Sequence, residues 1–166
     1  ENICVSYSHQ YGVDTRIVRP FHTYGPGLSP SDGRVFSDFI HAVASGNDLE
    51  MTSDGSAKRP FCYITDAVTG IFNVLFNGKS SNVYNMGNPD GEVSIKELAK
   101  IVSKARTDFD IRVKSSVQPD SYLRSPTSRQ IVNIDKLKSL GWSPKISVVE
   151  GFKRSISSEI EALVTM

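Results

Sequence analysis

Residues 14–34, DTRIVRPFHTYGPGLSPSDGR, put a β-prone pair, Ile17 and Val18, ahead of a loop rich in glycine and proline. A helical pattern begins just after it, at Val35. The order is strand, loop, helix N-terminus, and ligands of open α/β sheets bind where a strand's carboxyl end meets such a loop. The first N–H groups of a helix have no partner inside it, so an anion is the natural guest. Arg34 adds positive charge at the helix start, where the helix dipole slightly disfavours it; a bound anion or plain solvation accounts for that. His22 stands in the same loop and can donate a hydrogen bond, with a charge that changes near neutral pH. No metal-binding cluster accompanies it. Tyr24-Gly25-Pro26 reads as loop architecture, with glycine and proline setting the backbone.

The chain has 166 residues, 39% hydrophobic and 22% charged, which suits one globular unit with a core. A net charge of +1 points to neither nucleic acid nor an anionic membrane as partner. Any anion site must therefore come from a few placed arginines. Cys4 and Cys62 make no disulfide framework, so a reducing cytoplasm is expected. No apolar run is long enough to span a bilayer, and no signal-peptide pattern opens the chain. The first residue is Glu1, and the first turn already reads as mid-helix, so an excised piece of a longer protein is expected.

The elements that must position these groups follow from periodicity. Ile3, Tyr7 and Tyr11 recur at helical spacing over 1–11, with Tyr7 read as core and Gly12 as the stop. Val35, Phe36, Phe39, Ile40 and Val43 make a stripe over a helix at 34–45. A short strand at 49–52 and a turn at 53–56 precede a β-rich run at 61–64. Thr65-Asp66 is the expected cap of a helix at about 66–77 whose apolar face carries Val68, Ile71, Phe72, Leu75 and Phe76. Residues 82–86 and 111–113 read as strands, and Ser94 with Glu97 as a capping box. Residues 115–130 read as irregular. Asn133 is the expected cap of a helix ending at Gly141-Trp142, with Trp142 in the core. Ser147 with Glu150 opens a last helix with Val148, Phe152, Ile156 and Ile160 inward.

RPFHTYGPG resembles the Arg-x-x-Asn-x-Tyr-Gly-Pro segment of the extended short-chain dehydrogenase/reductases that act on nucleotide sugars. The DGRV at 32–35 is similar to UDP-glucuronate decarboxylases, and dTDP-glucose 4,6-dehydratases are a related match. SDGSAKRPFCYITD resembles the pattern Gly-Asp-Gly, then Arg-x-Phe-x-Tyr-Val-x-Asp. The tail from Arg129 through IVNIDKLKSLGWSPKISVVEGF resembles the closing pattern, with Val132 and Asn133 departing from it.

The resemblance implies an α/β fold: the C-terminal part of an NAD(P)-binding, Rossmann-type enzyme, with mixed short strands and helices. Residues 1–166 would be a single nucleotide-sugar-binding unit and 1–26 a remnant of the Rossmann domain. It implies Arg59 as a diphosphate contact, since a planar guanidinium bridges two phosphate oxygens with fixed geometry. A solvent-facing loop arginine is the alternative. Arg129, or else Arg124, would be a second such contact, with Arg34 near cofactor and substrate. His22 stands where most members carry Asn, a substrate contact. Pro20, Phe21 and Thr23 match the stretch against the nicotinamide, and Met51-Thr52 the strand passing the nucleobase.

The intact family enzyme oxidises the sugar C4 hydroxyl by hydride transfer to NAD, with a tyrosinate taking the proton. Its Tyr-x-x-x-Lys pair would lie upstream of Glu1, and no GxxGxxG turn occurs in the chain. The expected function is therefore the substrate-binding portion of an NAD-dependent epimerase, dehydratase or decarboxylase. Its partner would be a UDP- or dTDP-linked sugar, its state a homo-oligomer. NAD would be used by the intact parent, with none bound by this chain alone and no turnover. A stand-alone, non-catalytic binding or interaction module is the alternative.

Overall fold

The computed structural model describes residues 1–115 and 127–165. The alternative contact Arg124 and most of the expected irregular stretch lie outside the described residues. The first helix, α1 (Asn2–Tyr11), ends at Gly12, whose φ of 67° is a left-handed stop that glycine adopts without strain. It buries none of its residues, and Tyr7 is exposed, not in the core as its spacing suggests. Periodicity marks the apolar face but not what covers it. Strand β1 (Arg16–Pro20) follows and buries Ile17, then β2 (Thr23–Tyr24) rises out of what reads as loop.

Helix α2 (Val35–Ala44) buries Phe36, Phe39, Ile40 and Val43, the i, i+3, i+4, i+7 stripe of an amphipathic helix. Then come β3 (Leu49–Met51), β4 (Lys58–Pro60), β5 (Cys62–Tyr63) and α3 (Ile64–Asn77). The N-cap position of α3 is Tyr63, with no side-chain cap. Asp66, the expected cap, is instead buried in the first turn, where its Oδ2 accepts from Lys145 N–H and Ile146 N–H at 3.0 and 2.8 Å. Strands β6 (Asn82–Met86) and β7 (Glu92–Ser94) lead to α4 (Ile95–Ser103). The expected capping box is present: Glu97 N–H donates to Ser94 Oγ at 3.1 Å, and Ser94 N–H to Glu97 Oε2 at 2.8 Å.

Strand β8 (Val113–Ser115) starts two residues later than the β-prone run suggests. Helix α5 (Asp135–Lys138) is short; Asn133 Oδ1 accepts from Asp135 N–H, but Ile134 holds the cap position. Helix α6 (Val148–Thr165) buries Val148, Phe152 and Ile156 as its pattern requires.

Strands pair as β1 with β6, β2 with β5 and β3 with β8, all parallel, and β4 with β7 antiparallel. Parallel pairing explains why β1 and β6 are so far apart in sequence: helix α3 must carry the chain back. Two apolar clusters result. One lies between α2, α4 and α6 and centres on Tyr24, Phe39, Phe61 and Phe152. The other joins α3, β6 and α5 through Val74, Met86, Leu137 and Trp142. Helix α3 turns Ala67, Gly70 and Val74 inward, whereas Val68, Ile71, Phe72, Leu75 and Phe76 face outward. This reverses the expectation from its apolar stripe. Gly70 faces Met86 and Trp142, where an added Cβ would lie 3.0 to 3.1 Å from their atoms. The small residues, not the large ones, let the helix approach β6 closely.

Candidate functional site

A cavity of about 250 Å³ opens where the loop after β1, the start of α2, β3 and β4 converge. His22, Arg34 and Arg59 line it, with Met51 and Thr52 from the end of β3 and with Phe36 and Phe61 as apolar walls. Arg34 and Arg59 are 25 residues apart in sequence, and strand pairing sets them on one space.

Each group is held differently. His22 has φ 37°, an uncommon backbone state for a residue with a side chain. Its carbonyl accepts from Cys62 N–H at 3.2 Å, so the β2–β5 pairing pins the loop. Its Nε2 meets Gln130 Oε1, and its ring tilts against Phe61 with centroids 5.9 Å apart. Burial, with the nearby charges of Arg59 and Arg34, holds the imidazole pKa below its ordinary value, and the Gln130 contact opposes this in part.

Arg34 occupies the N-cap position of α2 with an extended backbone and no side-chain cap. Its guanidinium lies 4.7 Å from the Phe36 ring centroid and forks onto Asp32, Nη2 to Oδ2 at 2.5 Å. Its charge is thus shared with a carboxylate across the turn at Gly33. Arg59, on β4, donates to Lys58 O at 2.7 Å and to Thr127 O at 2.8 Å, which splints the guanidinium along the strand.

Arg129 is not brought to this cavity. It is a bridge partner of Lys58, and its guanidinium is held by Glu92 at 2.8 and 3.2 Å. Neighbouring strand positions point to opposite faces, so an arginine beside β4 need not share Arg59's face. Pro20, Phe21 and Thr23 sit together at the carboxyl end of β1. Phe21 N–H donates to Met86 O at 2.9 Å, and Thr23 Oγ1 is buried without a partner among the described residues. They lie beside His22 but do not line the cavity. Sequence reasoning missed Gln130 and Phe61 as neighbours of His22, and Phe36 as a wall of the cavity. Only the fold brings Gln130, more than a hundred residues later, against that ring. Among the described residues no group of three or more histidine, cysteine or carboxylate side chains could hold a metal.

The loop 53–57 closes the cavity against α4. Ile95 N–H donates to Ala57 O and Lys96 N–H to Gly55 O, so the first amides of α4 find partners in the loop. Gly55 has φ 70°, and an added Cβ would lie 3.0 Å from Lys96 N. The turn tolerates no side chain here, which keeps Ser53 and Ala57 at the cavity wall.

Residues 1–87, which carry the strand, loop and helix start, β3, β4 and α3, match the NAD dependent epimerase/dehydratase family. The chain belongs to the NAD-dependent epimerase/dehydratase family. Its fold agrees with members of known structure. UDP-glucose 4-epimerase of Thermotoga maritima, solved with UDP-glucose, superposes with a TM-score of 0.83 at 23% identity over 95% of this chain and 50% of that one. UDP-glucuronic acid 4-epimerase of Bacillus cereus, solved with UDP-glucuronic acid and NAD, gives 0.81 at 21% over 97% and 50%. Among curated relatives, UDP-glucuronic acid decarboxylase 6 of Arabidopsis thaliana is 37% identical over 153 residues, 91% of this chain and 42% of that protein. The chain thus spans less than half of that relative. This epimerase/dehydratase-family chain carries the Rossmann-type α/β arrangement expected from its motifs. No described helix is long and apolar enough to cross a membrane.

Proposed function

We propose that this chain is the nucleotide-sugar-binding portion of an NAD-dependent sugar-nucleotide epimerase, dehydratase or decarboxylase that works through oxidation at the sugar C4. The observation that carries the reading is the convergence of His22, Arg34 and Arg59 on one cavity with mixed apolar walls. Two guanidinium groups suit the two linked phosphates, and their fixed planes orient what they hold. Met51 and Thr52 line the cavity together with Phe36 and Phe61, a mixed setting that suits a flat base. Arg129 would join the grip only by leaving Glu92. A UDP-linked sugar, and within that class a UDP-uronic acid, is the substrate that the relatives' chemistry favours.

Residues 1–26 and β6 are the margin of the dinucleotide-binding sheet in this reading. Pro20, Phe21 and Thr23 suit the nicotinamide side: they sit at the carboxyl end of a parallel strand, and Thr23 Oγ1 is a buried hydroxyl with no partner among the described residues. NAD, when bound, supplies the hydride acceptor. The chain's own residues hold the diphosphate and exclude water from the sugar's approach. The sequence contains no Tyr-x-x-x-Lys pair, so no group here is assigned as the base. Two free cysteines, one buried, suit a reducing compartment, and the exposed faces of α1 and α3 suit a homo-oligomer.

Calorimetry with UDP-glucuronic acid and UDP-glucose tests the reading. Binding is expected, and Arg34→Ala and Arg59→Ala should each weaken it about tenfold or more, as loss of a charged hydrogen bond to phosphate requires. Arg129→Ala should change it less than either. No binding, or equal affinity in all three variants, would sink the assignment. NAD-dependent conversion of a UDP- or dTDP-sugar by the 166-residue chain alone would refute its role as a binding portion.

A further inference from the structure

His22 is the cavity wall whose charge can change. Its left-handed backbone, the Cys62 N–H on its carbonyl and the Phe61 ring against its own leave the imidazole little freedom. Its Nε2 is engaged by Gln130 Oε1. A carbonyl oxygen only accepts, so Nε2 carries a proton whether the ring is neutral or charged. The neutral ring then has its lone pair on Nδ1, which is the nitrogen left for a ligand. Against an anion, that lone pair is repulsive. With a proton added, Nδ1 becomes a charged donor.

The groups around it set the direction. Arg59 on β4 and Arg34 at the start of α2 both oppose a third positive charge while the cavity is empty. Asp32, in the turn ahead of α2, is forked onto Arg34. Phe61 and Gln130 carry no charge. Burial acts in the same sense as the arginines. An anion bound between the two guanidinium groups offsets their charge and reverses the balance at His22.

We propose that the cavity takes up a proton with its anionic ligand, at Nδ1 of His22, so that diphosphate affinity rises on acidification. This rests on the reading of the cavity as a diphosphate site. The sign follows from linkage. The imidazole pKa is low in the empty cavity and higher in the filled one. Affinity is then at its lower value above the filled-site pKa. It climbs by up to about tenfold per pH unit between the two and levels off below the empty-site pKa.

Calorimetry of UDP-glucose with the 166-residue chain reads this directly, because the sugar-linked diphosphate does not itself titrate near neutrality. Affinity at about pH 5.5 should exceed that at about pH 8 by about fivefold or more, around the range where imidazole titrates. Two buffers of different ionisation enthalpy should report fractional proton uptake in between. His22→Asn keeps a neutral donor and should bind with no pH dependence. Gln130→Glu should move the inflection to higher pH, a shift that mere structural support of the ring would not give. Wild-type affinity flat across that range with no proton uptake overturns the inference and leaves the diphosphate reading standing. So does a pH dependence that survives in His22→Asn. Absence of UDP-glucose binding at every pH overturns the diphosphate reading, and the inference falls with it.

Discussion

Asp66 shows how a carboxylate at an expected cap can do other work. It is 5% exposed, and its Oδ2 takes the N–H groups of Lys145 and Ile146, across nearly eighty residues of sequence. Those two amides belong to the turn that delivers the chain to α6, and water does not reach the carboxylate to replace it. Asp66→Ala should therefore destabilise the fold by about 1–3 kcal/mol, the cost of leaving two part-buried donors without their buried acceptor. Asp66→Asn, which retains an acceptor oxygen, should lose less than half as much. Urea denaturation curves distinguish the two, and equal losses would mean that the side chain's size, not its oxygen, is what matters. That His22, Arg34 and Arg59 lie near one loop could be read from the sequence, from motif for the two arginines and from loop position alone for His22, which departs from the motif's Asn. The place of Arg129 beside Glu92 could not be read, because a pairing between distant strands sets it there.

Helix α6 illustrates a conflict between local propensity and packing. Alanine in place of a helical glycine gains about 1 kcal/mol of helix propensity. At Gly151 an added Cβ would lie 2.1 Å from Tyr24 Oη and 3.0 Å from Tyr63 Cδ2. Tyr24 cannot easily retreat, since its ring stacks on Phe152 with centroids 4.0 Å apart and meets Phe36, Phe61 and Tyr63 edge-on. Overpacking of this kind costs about 1–3 kcal/mol, and Tyr24 also loses its 3.3 Å hydrogen bond to Val148 O. Gly151→Ala should thus lower the melting temperature in spite of the propensity gain; a raised one would show that the aromatic cluster gives way readily. The consequence reaches the cavity, because Phe36 and Phe61 belong to the same cluster.

For the whole molecule the outer faces of α1 and α3 matter most. Phe72 and Phe76 are 52% and 74% exposed and stack on each other, with Ile71, Leu75 and Val68 beside them. Ile3, Tyr7 and Tyr11 are exposed on α1, and β1 has only β6 as a ladder partner among the described residues. Monomers seldom leave an apolar surface of this extent to water, and an unpaired strand edge invites another chain. The 166-residue chain should therefore self-associate, with a mass by light scattering that rises with concentration. Phe72→Ser with Phe76→Ser should shift it toward monomer. A strictly monomeric wild type at high concentration would count against this.

Helix α2 with its stripe, the box at Ser94 and Glu97 and the inward row of α6 could be read from the chain alone, because each depends on neighbours within a few residues. Strands β2, β4 and β7 could not, being two or three residues long and ordered by partners far away rather than by their own composition. The same distance explains the site. Residue types and motif order named the guanidinium groups and the histidine. The parallel and antiparallel pairings chose which of them share a cavity, set Gln130 against His22, and turned the large side chains of α3 outward, because contact geometry between remote segments is not encoded in any one of them.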